Sequence, residues 1–91
     1  MSKAETGRLC VGVDLHKTQF TICALNEDGE YLLEKQYPTK EEGYREFARE
    51  MHRFEEQGCS IELAVETTGN ARFFKNRMES EYFAVKVVNT N

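Results

Sequence analysis

Two acidic residues close two short apolar runs, Leu9-Cys10-Val11-Gly12-Val13-Asp14 and Ile61-Glu62-Leu63-Ala64-Val65-Glu66. Runs of this kind read as buried strands. A desolvated carboxylate is costly unless a cation, a metal or hydrogen-bond donors meet it. Asp14 and Glu66 together therefore predict a divalent-metal site at one edge of a sheet. Each acid also has a plainer reading. Asp14 at a strand end can accept from a loop amide, and Glu66 can cap a following helix, whose amino terminus favours acids.

For the two acids to share an ion, their strands must be parallel neighbours. Side chains alternate between the faces of a strand. Asp14 then shares its face with Gly12 and Cys10, and Glu66 shares its face with Ala64 and Glu62. Neighbouring strands lie roughly 4.8 Å apart, which predicts carboxyls within roughly 4–8 Å of each other. Both acids fall at strand carboxyl ends, where open α/β sheets place their ligands. Glu62 has the same parity as Glu66 but lies deeper along the strand and reads as a structural or surface residue.

The rest of the chain supplies the elements that hold this pair. Residues 1–8 are polar and charged and predict a flexible amino-terminal segment. Strands are expected over 9–14, 20–25 and 30–37, the third closed by Pro38. Asn26-Glu27-Asp28-Gly29 between the second and third is a hairpin turn, since Asp-Gly readily supplies positive φ. Thr39-Lys40-Glu41-Glu42 reads as a capping box. The helix behind it carries Tyr44, Phe47, Ala48, Met51 and Phe54 as one apolar stripe and stops at Gly58. Gly43 is expected to weaken its first turn slightly.

A fourth strand follows over 60–66, and Thr67-Thr68-Gly69-Asn70 reads as a loop ending in a helix cap. Phe73, Phe74 and Met78 support a second helix over 71–81, and 83–88 is a fifth strand. The order β-β-β-α-β-α-β predicts an α/β domain. With right-handed crossovers it is most simply a five-stranded mixed sheet of strand order 3-2-1-4-5 with helices packed on it, the ribonuclease H-like fold.

Ninety-one residues make one small domain, and 40% apolar content is enough for a single core. A formal charge of −4 argues against a domain held to nucleic acid by a basic surface alone, while leaving room for a carboxylate-metal site. Cys10, Cys23 and Cys59 have no metal-ligand spacing and read as buried reduced thiols. No apolar segment approaches membrane-spanning length, and residues 1–8 lack the apolar stretch of a signal peptide. A cytoplasmic location without membrane contact is the expectation.

Several motifs in order resemble one known family. They are Val11-Gly12-Val13-Asp14-Leu15-His16-Lys17, Phe20-Thr21-Ile22-Cys23, Asp28-Gly29-Glu30, Ala64-Val65-Glu66-Thr67-Thr68-Gly69-Asn70 and the closing Val87-Val88-Asn89. Together they resemble the amino-terminal, RuvC-like part of DEDD transposases of the insertion-sequence-one-ten family. The likeness covers residues 9–91, which reads as a partial RuvC-like domain. Ala71 departs from the pattern, since relatives often carry an aromatic there.

The resemblance implies DNA strand cleavage and transfer by four metal-binding acids in the order Asp, Glu, Asp, Asp. Asp14 matches the first and Glu66 the second, as catalytic residues and as ligands of Mg²⁺ or Mn²⁺. DNA and a structured guide RNA are the implied partners, with a homo-oligomer left open. No aspartate follows Glu66 in these residues, and the family's serine-bearing carboxy-terminal domain is not among them. The expectation is the first part of a transposase, weak in metal binding and inactive as an isolated fragment.

Two other functions stay open at this point. One is a non-catalytic module that pairs with a full-length recombinase. The other is an actin- or sugar-kinase-like ATP-dependent phosphotransferase, whose class wants glycine and threonine straight after the aspartate, where Leu15-His16-Lys17 stands here. Lys17 reads as a phosphate contact or a solvated turn lysine. Asn70 and Arg72, with Lys75 and Arg77 behind them, read as phosphate contacts at a helix amino end or as ordinary capping with a solvated basic face. His16 reads as a turn residue, and His52 as a surface residue on a polar helix flank.

Overall fold

The computed structural model describes residues 7–66 and 71–88. Alternation along β1 (Gly7–Leu15) organises the architecture. Leu9, Val11, Val13 and Leu15 are buried, while Arg8, Cys10, Gly12 and Asp14 point to the opposite, open face. The same period of two runs through β2 (Gln19–Leu25), β3 (Tyr31–Pro38) and β4 (Cys59–Glu66). With β5 (Ala84–Val88) they form one sheet in the order β3-β2-β1-β4-β5. β1 runs antiparallel to β2 and parallel to β4, and β4 runs parallel to β5. This is the mixed sheet that the order of elements predicts.

The hairpin between β2 and β3 is closed by Asn26. Its Oδ1 accepts from the backbone N–H groups of Asp28 and Glu30 at 2.9 and 3.0 Å, and Gly29 takes the positive φ of +83°. Helices α1 (Glu41–Glu56) and α2 (Ala71–Glu79) both pack on the core face of the sheet. Phe20 of β2 is the hub, with the rings of Tyr37, Tyr44, Phe47 and Phe74 at centroid distances between 5.3 and 5.7 Å. Ring pairs at such distances add about 0.5–1.5 kcal/mol each beyond the area they bury. Gly58, at φ +106°, ends α1 as expected.

The capping box over Thr39–Glu42 does not form. Lys40 occupies the N-cap position without a side-chain bond, and the Thr39 hydroxyl donates instead to the His16 carbonyl at 3.0 Å. The hydroxyl thus ties the β1–β2 connection to the start of α1. Gly43 is also more than a weak helix former. A Cβ there would overlap the Pro38 carbonyl oxygen, so glycine lets the helix start lie against the end of β3.

The second helix is shorter than predicted, with Ser80 and Glu81 already in the turn that follows. Its buried contacts are Ala71, Phe74 and Met78, whereas Phe73 is 56% exposed, with its ring 5.6 Å from that of Tyr44. Phe54 is partly buried at the margin of the core. Of the three thiols only Cys59 is buried; Cys10 is exposed on the open face with its Sγ 4.0 Å from Glu62 Oε1. No helix among the described residues is long and apolar enough to cross a membrane. Most of the expected flexible segment and the expected loop and cap over 67–70 lie outside the described residues.

Candidate metal centre

Parallel pairing of β1 with β4 brings Gly12 opposite Ala64 and Val13 opposite Val65. Asp14 and Glu66 are the next residue on each strand, so the two acids leave the sheet side by side at its carboxyl-end edge. Val13 and Val65 are buried, at 4% and 1% exposure, which turns both carboxylates to the open face. On the outer sides, Thr21 pairs with Asp14 and Val88 pairs with Glu66.

Both acids line one open depression of about 510 Å³ on that face. Small residues make its floor, and a Cβ built on Gly12 would meet nothing within 4 Å. Glu34 also lines it, aligned with Gly12 through Cys23 across β2. Sequence reading missed Glu34 because it sits in an alternating strand, where an acid reads as solvated. Only the register of three strands brings it to the same depression.

The imidazole of His16 reaches the first acid, with Nε2 3.2 Å from Asp14 Oδ2. His16 lies in the turn, as expected, but its contact with the carboxylate was not anticipated. The turn is held from behind by its own N–H bond to the Gln19 carbonyl and by the Thr39 bonds, including Thr39 N–H to the Thr18 carbonyl. Two residues beyond a strand-end acid, a histidine can fold back over it; that spacing was the available signal.

Lys17 is exposed in the same turn, and Arg72 is exposed on α2. Asn70 lies outside the described residues. Arg77 is not presented to a phosphate. Its Nη2 holds Glu41 at 2.5 Å and its Nη1 holds Glu81 at 3.0 Å, with only 17% of the side chain exposed. Those bonds push its own pKa up and hold Glu41 and Glu81 below the usual carboxylate range. Lys75 is paired with Glu79 at 2.8 Å.

The donor chemistry fits a hard divalent ion. Asp14 and Glu66 offer carboxylate oxygens, both open to solvent, so an ion held by them keeps much of its water. Among the described residues no three His, Cys, Asp or Glu side chains converge as a complete metal cage. A partial oxygen set with retained water suits Mg²⁺, which is commonly completed by substrate phosphates.

A mixed sheet of order 3-2-1-4-5 whose central parallel pair ends in two adjacent acids defines a ribonuclease H-like domain. Residues 11–91 match the family model of DEDD transposases of the IS110 type, described as a transposase, and the chain belongs to that family. No curated protein matches it.

Among solved structures, the chain is similar to a Bacteroides thetaiotaomicron protein with an actin-like ATPase fold and unknown function. The identity is 13% and the TM-score 0.60, over 88% of this chain and 32% of that one. It is also similar to Archaeoglobus fulgidus Pelota, with 20% identity and a TM-score of 0.58, over 91% of this chain and 26% of that one. At these identities the likeness shows the fold alone. The chain spans about a third or less of those structures.

Proposed function

We propose that this chain is the amino-terminal metal-binding part of a transposase that cleaves and joins DNA strands, with Asp14 and Glu66 as its first two carboxylate ligands. The observation that carries the reading is the register of β1 on β4, which sets the acids on adjacent strand ends and on one face. An ion held there would act as a Lewis acid on a phosphodiester oxygen.

The protein's own part is to place and hold the oxygens. Asp14 sits at the strand end with His16 against it, and the buried Val65 turns Glu66 to the same face. Lys17, with Asn70 and Arg72, would meet phosphate oxygens of the DNA near the ion. A guide RNA, assembly of copies and a cytoplasmic location belong to the same proposal and come from the family. The residues in hand supply two of the family's four acids, so this chain alone binds Mg²⁺ or Mn²⁺ weakly and does not cut DNA.

The test is a Mg²⁺ titration followed by NMR on the wild type, Asp14→Asn and Glu66→Gln, with a cleavage assay in parallel. Saturable shifts around both acids, lost in either variant while the fold is kept, support the reading. Robust DNA cleavage by the 91-residue chain, or shifts that survive both substitutions, would contradict it.

A further inference from the structure

Helix α1 carries two rows of like charge, Glu42, Glu46 and Glu50 on one flank and Arg45, Arg49 and Arg53 on another, each at four-residue spacing. Like charges four apart on a helix repel, so each row needs neutralising from elsewhere. Two of the three acids receive it within the fold. Lys35 of β3 reaches Glu46 at 3.8 Å and Glu50 at 3.0 Å, and the Tyr37 hydroxyl donates to Glu50.

The basic row does not. Arg45 has Glu41 at 3.9 Å, a carboxylate that Arg77 already holds closely. The side chains of Arg49 and Arg53 make no ion pair among the described residues, Arg53 acting on Glu50 only through its field. All three arginines line a groove of about 400 Å³ together with His52, Glu56 and Glu81. Glu81 is spoken for by Arg77 and by His52, at 3.0 and 3.4 Å. Glu56 is the groove's other carboxylate, so Arg49 and Arg53 leave a small cationic excess there on a chain whose net charge is −4.

Its position is distinct from the metal centre. The groove includes the carboxy-terminal half of α1, which leads into the start of β4 at Cys59, whereas Glu66 is at the other end of that strand. Immediately after Glu81 stands Tyr82, 92% exposed, at φ +71°. A bulky residue in that region of backbone is strained. The turn is pinned on both sides, by Glu81 to α1 and α2 and by Phe83, buried and stacked on His52 at 4.6 Å. The result is an aromatic ring held in solvent one residue beyond Glu81, which lines the same groove as the two guanidinium groups, Arg49 and Arg53, that have no ion pair among the described residues.

We propose that this groove binds a single strand of nucleic acid, with Arg49 and Arg53 on successive phosphates and Tyr82 as a stacking surface for a base. Four residues of helix advance about 6 Å, a step commensurate with neighbouring phosphates of an extended strand. Base–aromatic stacking with cationic tracking of the backbone is the usual chemistry of sequence-tolerant strand binding. This site is separate from Asp14 and Glu66 and needs no metal.

The experiment is fluorescence anisotropy with labelled oligo(U), oligo(dT) and a mixed-sequence duplex, in EDTA, so that no ion at the carboxylates contributes. The wild type should bind the single strands with an affinity that falls as salt rises. Arg49→Gln/Arg53→Gln should lower the salt slope by about 1.4, at about 0.7 per phosphate. Tyr82→Gly, which relieves the positive φ and keeps the turn, should weaken binding about five-fold or more without lowering the melting temperature. A preference for oligo(U) or for oligo(dT) assigns the strand as RNA or DNA. Absence of single-strand binding, binding unchanged in both variants, or equal binding of the duplex would overturn the proposal.

Discussion

The His16 ring nitrogen Nε2 sits 3.2 Å from Asp14 Oδ2, so the first acid of the candidate centre already has a neighbour that an incoming ion must share or displace. Mg²⁺ binding should therefore move the His16 ring signals in step with the Asp14 amide. In an NMR titration the two sets of shifts should give one apparent affinity. A moving Asp14 amide beside an unmoved His16 ring would mean that the contact does not persist in solution.

Phe47 is the most informative core substitution. It is fully buried and its ring meets those of Phe20, Tyr37 and Phe74. Phe47→Ala should cost about 3–5 kcal/mol, enough to unfold much of so small a domain. A urea melt showing a loss below about 1 kcal/mol would contradict the packing described.

Two glycines should respond oppositely to a single methyl. Gly43→Ala drives a Cβ into the Pro38 carbonyl and should destabilise by about 1–3 kcal/mol, because backbone must move. Gly12→Ala meets open space and should leave the melt within about 0.5 kcal/mol. Equal losses at both positions would contradict the close approach of α1 to β3.

Stability should depend on pH through His52. Its bond to Glu55 raises its pKa against the effect of burial, and Glu81 adds to the rise. Unfolded, the ring titrates near its ordinary value of about 6.5. A raised folded value means that the contribution is full below about pH 6.5 and is lost as pH climbs through the folded value. The urea midpoint should thus fall as pH rises above about 6.5, and His52→Gln should flatten that slope. At the acid end the order reverses. Glu81, held low chiefly by Arg77, contributes above the ordinary carboxylate range and loses that contribution as pH falls through its folded value.

What the sequence disclosed follows from what is periodic and local. Alternation identified the strands, the Asp-Gly turn fixed the hairpin, and the helical spacing of Tyr44, Phe47, Ala48 and Met51 placed the buried stripe of α1. The two acid-bearing strand ends were visible for the same reason, as polar residues closing apolar runs. Several misreadings turn on partners outside the local pattern of the run. Thr39 left the predicted cap for the His16 carbonyl, and Gly43 is dictated by Pro38. His52, read as surface, is held by Glu81 and Phe83, residues that only the return of the chain through α2 brings near. Glu34 joined the depression through the register of three strands, which no single run of residues encodes.

The central claim is that Asp14 and Glu66 hold one divalent ion between them. Paramagnetic broadening by substoichiometric Mn²⁺ tests it most directly, because the loss of signal falls steeply with distance from the ion. Amides at the ends of β1 and β4, Val13 to Leu15 and Val65 to Glu66, should broaden first, and Asp14→Asn should abolish the effect while the remaining spectrum is kept. Broadening centred elsewhere on the fold, or unchanged at these residues in Asp14→Asn, would contradict the claim.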